Sequence, residues 1–181
     1  MRGRGASGEF RREIPLRSMI DVELRGWRPS DVGVVIDAFR SPDVAGQASR
    51  PIDTAQAALE WMGLWGFRDD ARAFAVVVGG RVVGNVAVSN IDAHDTGWVS
   101  YWIVPYARGR GVAVAAAVKL AEWAFRERGL FRLELGHRLS NLASCAVATR
   151  AGFVAEGVER AKLSHGGVRY DVERHARLAT D

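Results

Sequence analysis

The apolar residues of this chain change period as it runs, and the changes mark out its elements. From residue 20 to 27 they alternate in strand fashion. Pro29, Ser30 and Asp31 then open a short helix whose Val32, Val35, Ile36 and Phe39 share one face, and Ser41-Pro42 closes it. Asp53 with Gln56 three positions on has the form of a capping box, and Ala58, Trp61, Met62 and Trp65 give the next helix an apolar stripe. Core packing is the default for that stripe.

Residues 73–78 and 81–89 are strand-type runs joined by Gly79-Gly80, a pair that permits the positive φ of a tight hairpin, so antiparallel pairing is predicted. Gly84 interrupts the second run and marks a candidate bulge. After a polar loop at 92–95, residues 97–104 form a further strand. The helix predicted from about 111 to 128 carries Val114, Val118, Ala121 and Phe125 on one side and Lys119, Glu122 and Arg126 on the other, with Gly129 as its stop. A strand at 131–136, a helix at 141–151 ended by Gly152, and a closing pair at 153–159 and 168–175 around His165-Gly166-Gly167 complete the chain. The late strand–helix–strand–helix order predicts helices covering a central sheet in three layers. No internal repeat or interdomain linker interrupts it.

Composition narrows the class without changing this picture. The 181 residues, 48% hydrophobic and 25% charged, suit one globular domain. No apolar run reaches membrane-spanning length, and the arginine-rich opening lacks the apolar block of a secretory signal, so no membrane association or export is expected. Residues 1–18 are rich in glycine, arginine and serine and read as a flexible basic extension, with Met19 a candidate natural start and 19–181 the domain. That extension holds five arginines against Glu9 and Glu13, so +3 of the net +4 lies there. The remainder is nearly neutral and shows no basic face for nucleic acid. Cys145 is the only cysteine, which excludes an internal disulfide or a cysteine-built zinc site and fits a reducing cytoplasm.

Candidate chemistry concentrates where the strand at 97–104 runs into Pro105-Tyr106-Ala107-Arg108-Gly109-Arg110-Gly111-Val112-Ala113. Gly109 and Gly111 have no side chain to keep a ligand off the backbone, and the helix opening at Gly111 points unpaired N–H groups outward. A helix N-terminus of this kind holds an anion. Arg108 and Arg110 add planar, charge-assisted donors. The other reading is a tight turn with both arginines solvated. A nucleotide-hydrolysing loop is disfavoured, because the stretch lacks the Gly-Lys-Ser/Thr ending.

Arg108-x-x-Gly111-x-Ala113 resembles the pyrophosphate-binding signature of the GNAT N-acetyltransferase superfamily. Asn141 to Ser144, followed by Gly152-Phe153, is similar to the matching segment of its Rim-type branch, whose named members acetylate ribosomal-protein N-termini. The resemblance runs from about residue 20 to 178. It implies a three-layer α/β (α+β) fold with helices on both faces of a mixed, mostly antiparallel sheet and a splayed central parallel strand pair. It implies acetyl-coenzyme A as cosubstrate and an amine acceptor, either a peptide N-terminus or a small molecule. Backbone groups of Ile103 and Val104 are expected to bind the pantetheine arm and the thioester oxygen, and the N–H groups of Gly109, Arg110, Gly111, Val112 and Ala113 the pyrophosphate. Asn141 is expected to contact the cofactor arm, and Ser144 to protonate the leaving thiolate; N-capping and an ordinary first-turn serine are the other readings of these two.

Rim-type sequences often carry a glutamate three residues before the tyrosine that matches Tyr101, where this chain has Trp98. His137, with an unperturbed pKa near that needed for water-mediated proton removal, is the candidate base in its place. Cys145 is read as packing. His94, His165 and His175 lack metal-ligand spacing relative to one another, so no metal is expected. The resemblance places the region between the first strand and the second helix beside the acceptor entrance, so one of the stripe tryptophans is a candidate pocket wall. Relatives often pair as homodimers. The competing function is an acyl-coenzyme A sensor or scaffold without turnover.

Overall fold

A computed structural model of the chain describes residues 20–66 and 68–181; the expectation of a flexible extension at 1–18 lies outside them. The elements run β1 (Glu23–Arg25), α1 (Val32–Phe39), α2 (Pro42–Ala45), α3 (Ala55–Leu64), β2 (Arg72–Val78), β3 (Arg81–Ser89) and β4 (Thr96–Ile103). They continue through α4 (Val112–Arg126), β5 (Arg132–Arg138), α5 (Leu142–Arg150), β6 (Val154–His165) and β7 (Val168–Leu178). The seven strands form one sheet in the order β1-β2-β3-β4-β5-β7-β6. All neighbours are antiparallel except β4 and β5, which fits the mixed sheet that the resemblance implied.

Local chemistry accounts for most boundaries. Gly79 and Gly80 both have positive φ, 55° and 77°, and close the β2–β3 hairpin. The cap of α3 is Thr54, whose Oγ1 accepts from the Ala57 N–H, one residue later than the Asp53 predicted from the capping-box pattern. Gln56 turns outward instead and donates to Glu60. α4 begins at Gly111, and the Asn141 side chain caps α5 by accepting from the Ser144 N–H at 3.1 Å.

α4 and α5 pack together over one face of the sheet, while α1 and α3 cover the other. Between α1, α3 and β4, Trp27, Phe39, Trp61 and Trp102 form an aromatic cluster with ring centroids 5.3 to 6.2 Å apart. The stripe predicted on α3 is therefore core, and Trp61 is 9% exposed.

The bulge expected near Gly84 is present, and Val83 is its extra residue: Val76 pairs with Gly84 but Val77 with Val82. The Val83 carbonyl accepts from the Val104 N–H at 2.9 Å, which fixes the end of β4. Gly84 itself admits no side chain. A Cβ there would overlap the Trp102 carbonyl oxygen and lie 2.6 Å from Ile103 Cδ1. Gly84→Ala is accordingly expected to push β3 off β4 and lower the melting temperature by about 5 °C or more. An unchanged calorimetric transition would show that this contact yields freely.

Candidate active site

β4 and β5 share only three rungs, Thr96 with Arg132, Gly97 with Leu133 and Trp98 with Glu134, and then part. Beyond that point β4 stays paired with β3 up to Ile103, so its other edge is open. Hydrogen-bonding direction alternates along a strand. Because the Val104 N–H faces Val83, the backbone groups of Tyr101 and Ile103 face the open side.

A cleft of about 370 Å³ occupies that fork. Its walls come from the end of β4 (Tyr101, Trp102, Ile103), the turn and first residues of α4 (Arg108, Gly109, Gly111, Val112, Ala113, Val114), α5 (among them Asn141 and Ser144) and the α2 segment (Asp43, Val44, Gln47). The helix N-terminus is oriented as the glycine pattern predicts. Gly109 and Gly111 take φ of 73° and 82°, and the first described helical bond of α4 runs from the Ala115 N–H to the Gly111 carbonyl. The amides of Val112, Ala113 and Val114 thus have no carbonyl within the helix to bond.

The two arginines divide. Arg108 folds back: its Nε donates to the Ile103 carbonyl at 2.7 Å and its guanidinium pairs with Asp43 at 2.9 Å. It braces the end of β4, although it lines the cleft. Arg110 is exposed and lies outside the lining. Arg150, in the last turn of α5, lines the cleft and was missed in the sequence because nothing but the fold brings it opposite α4.

Asn141 and Ser144 both face the cleft. Beside Ser144 stands the buried Tyr101 hydroxyl, which has no partner in hydrogen-bonding geometry. Burial pushes this phenol above the usual tyrosine range, with Ser144 opposing, so it remains a proton donor at neutral pH. Tyr101 lies two residues before Ile103 in the strand, and that period-two spacing was the signal that its side chain shares the Ile103 face.

The candidate base lies elsewhere. His137 is 6% exposed, absent from the cleft lining, and sealed under α5 with Nε2 3.1 Å from His175 Nε2. Trp98 lies beneath the Arg174 guanidinium, 4.8 Å from its ring centroid, and is also absent from the lining. Among the described residues, Asp43 is the only carboxylate that lines the cleft. Desolvation pulls its pKa up, but hydrogen bonding from Ser41 and the Arg108 charge outweigh that and hold it below the ordinary aspartate value. Desolvation and the neighbouring Glu173 carboxylate raise the Cys145 thiol pKa, which disfavours Cys145 as an acyl carrier. Val104 offers no free N–H, since Val83 takes it.

The chain belongs to the GNAT acetyltransferase family: the family model described as an acetyltransferase (GNAT) domain matches residues 21–154. Among curated proteins, YdaF of Bacillus subtilis strain 168, named a ribosomal N-acetyltransferase, is 32% identical over 100 residues, 55% of this chain and 55% of that protein. The chain spans about half the length of the curated relatives it matches. Among solved structures, Mycobacterium smegmatis RimJ in complex with a coenzyme A disulfide superposes with a TM-score of 0.79 at 22% identity, over 88% of this chain and 82% of that one. RimL, a ribosomal α-N-protein acetyltransferase in complex with coenzyme A, gives 0.78 at 21%, over 87% and 93%. These likenesses show the fold.

Among the described residues, no helix is long and apolar enough to cross a membrane.

Proposed function

We propose that this protein transfers an acetyl group from acetyl-coenzyme A to a primary amine by direct attack in a ternary complex. The observation that carries the reading is the convergence in one cleft of free helix amides, an unpaired strand edge and two hydroxyls. In this reading the amides from Gly109 to Ala113 hold the pyrophosphate, with Arg110 and Arg150 adding charge at the mouth. Tyr101 and Ile103, rather than Val104, present N–H groups to the pantetheine arm and the thioester oxygen, their carbonyls already accepting from Gln47 and Arg108. Asn141 positions that arm while capping α5.

The amine nitrogen attacks the thioester carbon, a C–N bond forms, and the C–S bond breaks. The departing thiolate takes a proton from Ser144, the Tyr101 phenol beside it replaces that proton, and the proton that the acylated nitrogen sheds on becoming an amide returns through solvent to the phenol. Among the described residues no side chain in the cleft is poised as a base, so the ammonium loses its proton to water at the open mouth.

The acceptor approaches from the α2–α3 side. A second hollow of about 170 Å³, lined by Trp61, Trp65 and Arg68, shares Gln47 with the main cleft. The His165 ring reaches this region from the β6–β7 turn and lies against Gly46, where an added Cβ would sit 3.1 Å from Cε1. A peptide N-terminus or small amine suits that approach. A cytoplasmic setting and a homodimeric assembly belong to the same proposal.

Thiol release from acetyl-coenzyme A, measured against a panel of peptide N-termini and polyamines, tests it. Release with at least one acceptor is expected. Calorimetric binding of acetyl-coenzyme A with no release for any acceptor would instead identify a non-catalytic carrier-binding module.

A further inference from the structure

β5 and β7 present three polar side chains to the face that α5 covers. His137 and Glu173 stand directly opposite each other across the antiparallel pair, and His175 stands opposite Leu135. Opposed residues point to the same face, as do residues two apart on one strand, so all three side chains share a side. Cys145, from the beginning of α5, meets them there.

Glu173 Oε2 is the shared vertex. It lies 3.0 Å from His175 Nε2, 3.4 Å from His137 Nε2 and 3.5 Å from Cys145 Sγ, and the two Nε2 atoms are 3.1 Å apart. All four donor atoms lie within 4.8 Å of one another. A tetrahedral cation with bonds of zinc length keeps neighbouring donors about 3.3 to 3.6 Å apart. Four of the six edges, at 3.0 to 3.5 Å, fall around those values, and the two from Cys145 Sγ to the imidazoles are bounded at 4.8 Å, so the thiol closes on the other three donors when an ion binds.

The hydrogen positions agree with this geometry. His137 Nδ1 is 3.0 Å from the Arg138 carbonyl, which can only accept, so Nδ1 carries the hydrogen and Nε2 offers a lone pair to the cluster. An imidazole so fixed by a backbone carbonyl is oriented as metal-bound histidines are. Ligation through His175 Nε2 would put that ring's hydrogen on Nδ1, which is buried without a partner among the described residues, so the orienting bond is present for His137 alone.

We propose that His137, Cys145, Glu173 and His175 form a closed tetrahedral site for a zinc-type divalent cation. Two imidazoles, a thiolate and a carboxylate are a donor set for a borderline-soft ion rather than magnesium or calcium. The two anionic ligands neutralise the dication, which suits a place where the histidines are only 6% and 2% exposed. Four protein ligands leave no open position, so the ion is structural. It would fasten α5, whose one buried residue is Ala148, to β5 and β7. Asn141 and Ser144 ride on that helix start. The rival arrangement is a proton shared among the imidazoles and Glu173.

The test uses the full chain without a histidine tag, stripped with chelator and titrated with Co²⁺. Expected are the intense visible bands of tetrahedral cobalt and a thiolate-to-cobalt charge-transfer band, saturating at one equivalent and bleached by Zn²⁺. Zinc at a hundredfold excess over its Kd should raise the melting temperature by about 5 to 10 °C. Cys145→Ser should remove the thiolate band, and Glu173→Gln should weaken zinc binding tenfold or more. His94→Gln with His165→Gln, away from the cluster, should change neither. Absence of a tetrahedral cobalt spectrum in the unaltered protein overturns the site in favour of the shared proton, even if the variants fold poorly. So does a zinc response that survives intact in Cys145→Ser and Glu173→Gln.

Discussion

Gly111→Val is expected to weaken acetyl-coenzyme A binding by about ten- to a hundredfold in calorimetry, with a much smaller change in melting temperature. Gly111 holds φ at 82° at the N-cap of α4, a conformation that strains a β-branched residue by about 1–3 kcal/mol. Nothing lies within 4 Å of an added Cβ, so the fold does not clash with it. The strain is relieved by rotating the turn, and rotation takes the amides of Val112 to Val114 off the position proposed for the pyrophosphate. Gly109→Asn is the control. Its φ of 73° is one that asparagine tolerates, so its loss should be several times smaller. Equal affinity in Gly111→Val and the unaltered protein would mean that the carrier does not dock on these amides.

The double variant Tyr101→Phe with Ser144→Ala should lose about a hundred- to a thousandfold in kcat, with the KM for acetyl-coenzyme A nearly unchanged. Each single change should cost much less than its share, because the remaining hydroxyl can still supply the proton. The pH profile separates donor from base. Burial raises the Tyr101 pKa, so the phenol stays protonated through and beyond neutral pH and sets no alkaline limb there. With no free carboxylate or histidine in the cleft, the rising acid limb should follow the pKa of the acceptor amine and move when the acceptor is changed. A limb fixed near the histidine range for every acceptor would point to an enzyme base and against proton loss to water.

What the sequence disclosed was local. Gly79-Gly80, Gly111 and Asn141 each have a conformation or cap that their own neighbours dictate, and each element boundary near them was legible. Thr54 displaced Asp53 as the α3 cap because both suit the position and only the backbone path decides. Val83, not Gly84, is the bulged residue, yet Gly84 is where the strands come too close for a side chain. The remoter parts of the site were not legible. The sequence offers Arg108 as a phosphate donor, but its contacts with Ile103 and Asp43 depend on α2 lying across the turn. In the sequence His137 stands alone at a strand end. Its partners come from β7 and α5, 38 residues away for His175, and no spacing rule links positions 137, 145, 173 and 175. Tyr101 is the exception, because the alternation of its strand already puts its side chain on the face of Ile103.

The brevity of the β4–β5 contact has a consequence for the molecule as a whole. Among the described residues, three rungs are all the sheet pairing that joins the amino-terminal four strands to the carboxy-terminal three. A carrier arm with amides of its own, laid along Tyr101 and Ile103, would continue that ladder as an added strand does. Cosubstrate would then act as a lacing between the two blocks, and their cohesion would rise with its concentration.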